Sequence, residues 1–349
     1  MSIGTYRELE LPYTEEHFEY TEVTPTFRVD LRDPFNRDLD KFMNANIVSD
    51  WSQLTWEQIG RPYEVKNYAT DRKEWEKKHG QPMPVKTSWE YFNKSFHELF
   101  ITDVPAELSK KKKALAKSFS KFKLNEVKTG IGDLIKLSLW NYVHRIEDGV
   151  WDPRGKRALF QGLDVKNPKI LFLGASDGYE AMQLHAMYPG GEVIMVDYDE
   201  FCKTDRFGKF PSSYPFLGSN PATGSPKVWY KDQMNIEYVV EDIRNLKYGK
   251  EFDIVISVGL IEHVPDEHKP EMLDMHRRFL KPNGYVIMTT PRDQLKSRMY
   301  YRVMADVMNH TYRELMDIRH MGLYTYEAGF EILRHGYIKV HNGIVARAR

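Results

Sequence analysis

Short apolar runs recur through the second half of the chain. Five of them are nearly continuous, at residues 169–175, 192–198, 236–243, 252–260 and 285–291. Uninterrupted apolar runs are typical of strands that are buried on both faces, as in the parallel sheets of α/β proteins. Segments of helical spacing lie between several of these runs, so the pattern predicts a mostly parallel sheet covered by helices.

One helix is predicted between the last two runs, within residues 265–284. Its apolar face consists of Met272, Leu273, His276, Phe279 and Leu280. Pro282 and Gly284 are expected to end it, because proline cannot continue a helix and glycine favours the C-terminal cap. A further helical stripe of methionine, tyrosine and valine side chains runs through residues 298–316.

Two other segments interrupt the alternation of strands and helices. Residues 203–235 are rich in proline, glycine and serine, and are expected to form a long loop. Residues 330–349 predict two strands joined at His341-Asn342-Gly343, a sequence typical of hairpin turns. This hairpin is expected to close the sheet.

The first 160 residues differ from the rest in the spacing of their apolar positions. In residues 131–146 apolar side chains recur every three or four positions, as on an amphipathic helix. Prolines and glycines then break the pattern before the first strand. We therefore expect a mostly helical N-terminal domain over residues 1–160, which caps the site and selects the substrate, and an α/β domain over residues 161–349.

Composition and charge exclude several classes of protein. Lysine plus arginine equals aspartate plus glutamate, so no overall charge favours nucleic acid or acidic membranes. The single cysteine, Cys202, excludes an internal disulfide and a zinc site built on several thiolates. No apolar run approaches the ~20 residues of a membrane span, and the first residues lack the apolar core of a secretory signal. These features predict a cytoplasmic protein without a membrane partner.

The stretch ILFLGASDGYEAMQLH at residues 170–185 carries the first candidate site. A strand that continues through Gly174 and Gly178 into a helix presents free backbone N–H groups at the helix N-terminus. Glycines also let a ligand approach the backbone closely. By itself, the pattern is equally typical of a tight strand-to-helix turn that binds nothing.

Acidic residues at the ends of the next two strands favour a nucleoside site. Asp197 ends the second strand, where a carboxylate can hold a ribose diol. Asp242 ends the third strand, where it is placed to meet an adenine amino group, and Ile243 is placed to flank the ring. Each aspartate, taken alone, is also compatible with a helix cap or a solvated position on the surface.

Taken together, these motifs resemble the class I S-adenosylmethionine (SAM) dependent methyltransferase family, in its small-molecule version. The resemblance covers residues 168–292, with the glycine loop, Asp197, Asp242, FDIVISVGLIEHV and RFLKPNGYVIMTTP in that family's order. It implies a Rossmann-like, mostly parallel sheet closed by a C-terminal β-hairpin, SAM as cofactor and S-adenosylhomocysteine as product. An NAD-binding domain would instead require G-x-G-x-x-G, whereas this loop has G-A-S-D-G-Y.

The resemblance implies a cofactor-binding role for the glycine loop and three strand ends. The residues concerned are Gly174, Ala175, Ser176, Asp177, Gly178, Asp197, Tyr198, Asp242, Ile243, Ser257, Val258 and Gly259. Two positions depart from the family's pattern, since Phe172 stands where an acid is usual and Ser176 where a middle glycine is usual. Asp177 is a candidate replacement for the missing acid.

Two residues after the fourth strand are candidates for catalysis. Methyl transfer requires the nucleophile, the methyl group and the sulfur to be nearly collinear, and an oxygen or nitrogen nucleophile must also lose a proton. His263 is the candidate base, and Glu262 is a candidate to orient it or to contact the substrate. Packing or capping alone would also explain either residue. No metal ion is expected, because polar clusters such as His263, Asp266 and His268 are more typical of helix caps.

The sequence therefore predicts a methyltransferase that acts on an oxygen or nitrogen of a small metabolite in biosynthesis. One alternative is a non-catalytic regulatory or scaffold subunit with the same fold, which Phe172 and Ser176 favour. Another is an RNA methyltransferase, in which the lysine-rich residues 109–123 would track phosphates. Nucleic acid is disfavoured as a partner, because a lysine-rich helix face is usually only solvated. The sequence leaves a homodimer open.

Overall fold

The structure of the chain is a computed structural model. It describes residues 47–65, 73, 76–81, 104–144, 154–210, 212, 216–224, 226–303, 312–338 and 340–348. Much of the predicted N-terminal domain lies outside these residues, so its boundary at residue 160 stays a prediction.

The described residues form short helices and strands that are labelled here in chain order. The strands are β1 (Tyr63–Glu64), β2 (Lys169–Leu173), β3 (Glu192–Asp197), β4 (Phe216–Ser219), β5 (Pro226–Trp229), β6 (Ile236–Val240), β7 (Phe252–Val258), β8 (Leu280–Pro291), β9 (Glu314–Leu315), β10 (Phe330–Ile338) and β11 (His341–Ala348). The α-helices are α1 (Trp56–Ile59), α2 (Val104–Ser120), α3 (Leu124–His144), α4 (Arg154–Phe160), α5 (Tyr179–Met187), α6 (Lys269–Phe279), α7 (Leu295–Val303) and α8 (Ile318–Glu327).

The central sheet has the strand order β10-β11-β8-β7-β2-β3-β6. Across the part of the sheet with the order β8-β7-β2-β3-β6, each strand is parallel to its neighbours. Strand β11 is antiparallel to both β8 and β10. The structure thus confirms a Rossmann-like, mostly parallel sheet closed by a C-terminal hairpin. All five predicted parallel strands are present, with ends that differ from the predicted ones by a few residues.

Both faces of the sheet are covered, which explains why its strands are continuously apolar. One face packs against α4, α5 and the β4–β5 hairpin, in a core that includes Phe160, Leu184 and Phe216. The other face packs against α6 and α8, in a core that includes Phe279 and Met321. Burying apolar area on both faces is the dominant favourable contribution to the stability of such a sheet.

Three predicted boundaries are wrong. Helix α6 ends at Phe279, before Pro282, because Leu280 already pairs with Phe252 at the start of β8. The hairpin turn precedes His341, so the predicted turn residues are the first three of β11. Asn342 lies within β11, where its side-chain amide donates to the carbonyl of Met316 at 2.7 Å. Helix α3 contains most of the predicted helix 131–146 but begins earlier, at Leu124.

The insertion at residues 203–235 is also more ordered than predicted. A π-helical turn at Cys202–Phe207, the β4–β5 hairpin and a 3-10 turn at Lys231–Gln233 occupy most of its described part. Phe216, Val228 and Trp229 are buried in the core. Proline and glycine dominate the local composition, but the aromatic residues between them supply enough apolar area to fix the segment on α5.

The stripe at 298–316 is not one helix. Helix α7 ends at Val303, and Glu314–Leu315 is instead the short strand β9, which pairs antiparallel with β1. The N-terminal part of the chain therefore supplies the partner of β9. Trp56 extends this contact, since its ring lies 4.4 Å from that of Tyr324 on α8 and its indole N–H donates to Glu327 at 2.9 Å.

We expect the close approach of the insertion to α5 to depend on Gly218. A Cβ atom at this position would lie 1.8 Å from the backbone carbonyl oxygen of Ala186. Gly218→Ala should therefore lower the free energy of unfolding by about 1–3 kcal/mol, the usual cost of overpacking. Urea denaturation of the purified protein measures this change.

Gly249→Ala is the matched control, because a Cβ atom at Gly249 would meet nothing within 4 Å. Its effect should stay within about 0.5 kcal/mol, as for most surface substitutions. Equal stability of the two variants would show that the hairpin does not pack on α5 in this way.

Candidate cofactor and catalytic site

The predicted site residues meet at one edge of the sheet. Parallel neighbours end at the same edge, so the carboxyl ends of β2, β3, β6 and β7 place the glycine loop near Asp197 and the segment after Val258. In open α/β sheets this edge, at the point where the strand order reverses, is the usual position of a ligand. Here the order reverses between β2 and β7.

The glycine loop has a backbone that requires its glycines. Gly174, Ser176 and Gly178 all have positive φ, at 68°, 52° and 79°. A Cβ atom on Gly178 would lie 2.4 Å from the sulfur of Met195, so no larger residue fits without a shift of its neighbour. Ser176 adopts the same left-handed region as the glycine that it replaces.

Asp197 connects this loop to the end of β3. One carboxylate oxygen accepts the backbone N–H of Ser176 at 3.0 Å, and the other accepts that of Asp199 at 3.1 Å. The side chain is buried, and burial raises the pKa of the carboxyl against the opposing effect of these two hydrogen bonds. A carboxylate has about four lone-pair positions, so both oxygens keep the capacity to accept a ribose hydroxyl.

Asp177 has a different set of partners. Its Oδ1 accepts the backbone N–H of Tyr179 at 3.0 Å, at the start of α5, and its Oδ2 accepts from Arg206 at 3.1 Å. Both side chains of the ion pair are buried. Burial raises the pKa of the Asp177 carboxyl, and the Arg206 guanidinium acts in the opposite direction. The replacement carboxylate considered from the sequence is therefore already held by a residue of the insertion.

The predicted adenine contacts lie on the open side of the site. Hydrogen bonds from Arg244 lower the pKa of Asp242, and the shortest of them measures 2.5 Å. Ile243 is half-buried next to it, whereas Tyr198 is 55% exposed beside Asp197. An adenine ring would meet an aspartate whose carboxylate already binds a guanidinium.

At the end of β7, backbone and side chains face different ways. The Ser257 hydroxyl is buried and lies 2.8 Å from Nε2 of His276 on α6, so its side chain points into the packing of the helix layer. Val258 packs against the opposite face of the sheet. Gly259 has φ +65° and donates its N–H to the Thr289 carbonyl at 2.9 Å. The backbone of these residues is therefore what reaches the edge of the sheet.

The candidate catalytic pair follows at once in a 3-10 turn at Ile261–His263. Nδ1 of His263 lies 2.8 Å from the Tyr312 carbonyl oxygen, which only accepts hydrogen bonds, so Nδ1 carries the proton and Nε2 is the acceptor nitrogen. Oε1 of Glu262 lies 4.0 Å from this Nε2 and 3.9 Å from the Arg313 guanidinium.

Burial shifts the titration of both members of the pair. It raises the pKa of Glu262, which is 1% exposed, to about 7. Burial together with the Arg313 charge lowers the pKa of His263 to about 3. Near neutral pH the histidine is thus a neutral acceptor, beside a carboxyl group that titrates in the physiological range.

The residues that position this pair were missed by the sequence analysis. Tyr312 and Arg313 directly precede β9, and the backbone N–H of Val65, next to β1, donates to the Arg313 carbonyl at 3.0 Å. Glu314 forms a buried ion pair of 2.6 Å with Lys269 on α6. Arg206 was missed as well. All these residues act through contacts between distant parts of the chain, and such contacts leave no local pattern in the sequence.

The described part of the chain contains no group of three histidine, cysteine or acidic side chains placed to hold a metal ion. Of the polar residues near His263, Asp266 forms an ion pair with Arg61 at 2.9 Å and accepts the Tyr324 hydroxyl. Asp293, beyond β8, pairs with Arg298 at 2.6 Å. These carboxylates have protein partners, and the absence of a metal stays an expectation.

A sheet of this topology, with a glycine loop and an acidic second strand end, defines a nucleotide-cofactor-binding protein of the methyltransferase type. The profile of a family described as "Methyltransferase domain" matches residues 143–335. The chain belongs to this family, within the class I SAM-dependent methyltransferases.

Individual relatives are distant. The chain is 27% identical over 171 residues to a ubiquinone biosynthesis O-methyltransferase of Coxiella burnetii, an alignment that covers 45% of this chain and 62% of that relative. Human N-acetylserotonin methyltransferase, solved in complex with SAM, matches at 15% identity and a TM-score of 0.44 over 75% of this chain and 70% of that one. A Burkholderia thailandensis 1,6-didemethyltoxoflavin-N1-methyltransferase with bound S-adenosylhomocysteine matches at 14% identity and a TM-score of 0.38, over 61% and 87%.

The Ser257–His276 contact makes a prediction about stability and pH. Burial lowers the pKa of His276 to about 4, below its unfolded value of about 6.5. Because the unfolded state then binds the proton more tightly, the stability due to neutral His276 is full above pH 6.5 and is lost as the pH falls towards 4. The loss is about 3 kcal/mol. His276→Gln should remove this dependence.

Urea denaturation of both proteins at pH 7, 5.5 and 4 measures it. We expect His276→Gln to be the less stable protein at pH 7 and the difference to shrink as the pH falls. His268→Gln, at an exposed histidine in the same region, should leave the pH dependence unchanged. A constant difference between wild type and His276→Gln would contradict a buried, neutral His276.

Proposed function

We propose that this protein transfers the methyl group of SAM to an oxygen or nitrogen atom of a small metabolite. Oxygen is the preferred acceptor, because the curated relative is an O-methyltransferase and because His263, the candidate base, has Nε2 as its acceptor nitrogen beside the Glu262 carboxyl group. The observation that carries the proposal is the position of His263 in the 3-10 turn that directly follows β7, where the Tyr312 carbonyl oxygen, 2.8 Å from Nδ1, fixes the orientation of the ring.

In the proposed complex, the glycine loop holds the methionine part of SAM through backbone groups at the start of α5. Asp197 accepts the ribose hydroxyls, and Tyr198, Asp242 and Ile243 contact the adenine. Since both oxygens of Asp197 already accept one backbone N–H each, its position is fixed before the cofactor binds. A pre-positioned acceptor lowers the entropy cost of binding.

The reaction moves one proton and one methyl group. The acceptor hydroxyl attacks the methyl carbon in line with the carbon–sulfur bond, which breaks to give S-adenosylhomocysteine. The hydroxyl proton passes to Nε2 of His263, which becomes an imidazolium. Glu262, whose Oε1 lies 4.0 Å away, stabilises that charge when it is ionised. The proton then leaves to solvent.

A non-catalytic subunit is the second candidate, and one observation favours it. Phe172 is fully packed in the core, and the nearby Asp177 already forms an ion pair with Arg206, so Asp177 is not a free replacement for the acid that is usual before the first glycine. Cofactor binding is the property that separates the two candidates.

The first test is calorimetric titration of the purified protein with SAM and with S-adenosylhomocysteine. We expect micromolar binding of both. Asp197→Asn should weaken it at least about thirtyfold, because charge-assisted hydrogen bonds to the ribose contribute about 1.5–3 kcal/mol each. Asp274→Asn is the matched control, since Asp274 is exposed and forms an ion pair with its helix neighbour Arg277.

Thermal unfolding without ligand shows whether Asp197→Asn is folded. No binding by the folded wild-type protein would overturn the enzymatic proposal in favour of the non-catalytic subunit. Binding that is equally strong in Asp197→Asn would keep the cofactor but remove Asp197 from its site.

The second test concerns the catalytic pair. Acceptor screening uses small hydroxylated aromatics and amines, with release of S-adenosylhomocysteine as the readout. Once an acceptor has been identified, the kcat of its methylation should rise with pH through about 7, where Glu262 ionises. His263→Asn should lower kcat about 100- to 10,000-fold, the usual contribution of a general base. Glu262→Gln should lower kcat less and abolish the rise near pH 7.

His268→Asn is the control, because this neighbouring histidine is exposed. Affinity for S-adenosylhomocysteine should stay unchanged in all three variants. Full activity of His263→Asn would exclude the histidine as the base, and a rise near pH 7 that survives in Glu262→Gln would assign it to another group.

A further inference from the structure

Helices α2 and α3 form a strongly basic hairpin, here called the arm. Residues 104–144 contain nine lysines, three acidic residues and no arginine, although the whole chain is neutral. The excess of six positive charges is therefore balanced by the rest of the protein. Lys112, Lys113 and Lys117 are exposed on α2, and Lys121 is exposed in the connection to α3.

The end of the arm is apolar. Phe119, Phe122 and Leu124 are 54%, 88% and 77% exposed, and together they are called the tip. Phe122 has φ +53°, in the left-handed region that favours glycine, so its ring projects from a turn that an aromatic residue adopts only at a cost. Single exposed apolar residues are common, but three within six positions at the end of a hairpin are not explained by core packing.

The neutral chain as a whole predicts no membrane partner, but the local charge of the arm differs from that average. We propose that the arm docks on an anionic lipid surface, with the tip in the headgroup region and the lysines on lipid phosphates. Exposed aromatic and leucine side chains next to a basic polar face are the features of peripheral membrane contact. Lysine stems can lie along the apolar boundary while their ammonium groups reach the phosphates. Among the described helices, none has the length and apolar character of a membrane span.

The charge and composition of the arm favour lipid over two other partners. Nucleic acid would be read better by arginine, which the arm lacks, and it would leave the tip in water. A second copy of the arm would bring two sets of excess positive charge together, which is unfavourable. An anionic bilayer satisfies the lysines and the tip at the same time.

The arm is connected to the candidate site through α7. Helix α3 packs against α7, and Tyr301 on α7 accepts a hydrogen bond of 3.2 Å from Arg313, the residue beside Glu262. A docked arm would hold this side of the site close to the membrane. The docking itself is independent of the proposed enzymatic function.

Vesicle flotation tests the proposal with the full chain. We expect binding to vesicles of phosphatidylcholine with 30 mol% phosphatidylglycerol, none to phosphatidylcholine alone, and a loss of binding as salt rises. Lys112→Gln/Lys113→Gln/Lys117→Gln should lower the partition coefficient about one hundredfold, because each lysine near an anionic surface contributes about fivefold. Phe119→Ser/Phe122→Ser/Leu124→Ser should lower it about tenfold.

The matched control is Lys166→Gln/Lys247→Gln/Lys250→Gln, which removes three exposed lysines elsewhere and should bind as the wild type does. Circular dichroism and thermal unfolding confirm that each variant is folded. Calorimetry with S-adenosylhomocysteine should give the same affinity in all of them, so a failure of docking is distinct from a failure of the proposed function.

Insertion of the tip is tested with an environment-sensitive fluorophore on Lys121→Cys. The native Cys202 is buried, and burial raises the pKa of its thiol, so the label attaches to the new residue. Emission should shift to the blue with anionic vesicles at Lys121→Cys but not at the distant Lys250→Cys.

Three outcomes would overturn the proposal. Equal binding of the arm variants and the control would exclude the arm. Binding of a structured RNA that is lost in the lysine variant, without vesicle binding by the wild type, would assign the arm to nucleic acid. A dimer in solution that the tip variant converts to a monomer, again without vesicle binding, would assign the tip to a second copy.

Discussion

The buried carboxylate of Asp197 holds the cofactor half of the site together through two backbone hydrogen bonds. One comes from Ser176 in the glycine loop and the other from Asp199 after β3. A carboxylate removed from water needs such donors, because burying it without them costs several kcal/mol. The positive charge of Arg206 also favours the ionised form of Asp197, and Arg206 forms an ion pair with Asp177. The loop, the strand end and the insertion are therefore coupled, since moving any of them would leave a buried charge without partners.

Much of the fold could be predicted because its strands are buried on both faces, and burial leaves a continuous apolar run in the sequence. The errors have one physical cause, which is that contacts between distant segments override local composition. Residues 314–315 follow a helical stripe but pair with β1, and residues 203–235 look like a loop although Trp229 and its aromatic neighbours fill the core. The hairpin turn was predicted at the wrong position for the same reason. Asn342 lies in β11, and its side-chain amide donates to the carbonyl of Met316.

The same distinction between local pattern and long-range contact applies to the candidate site. The glycine loop and Asp197 could be predicted, since their positions follow from the strand pattern and the backbone conformation of glycine. The partners of individual side chains could not, because Arg244 at Asp242 and His276 at Ser257 are visible only once the chain is folded. Arg206 and Arg313, which set the charge around the two halves of the site, carry no local signal at all.

The two halves of the site also differ in what holds them. The cofactor half is built from the carboxyl ends of β2, β3 and β6 and from the insertion between β3 and β6, so its geometry is local to the Rossmann-like sheet and this insertion. The catalytic half depends on Tyr312 and Arg313, which precede a strand of two residues whose partner is β1 near the N-terminus. Two residue pairs contribute little stability by themselves, so the buried Lys269–Glu314 ion pair and the packing of Trp56 on Tyr324 must fix that strand. The orientation of His263 thus depends on contacts from the N-terminal part of the described chain, whereas the position of Asp197 depends on the sheet and on the insertion that follows β3.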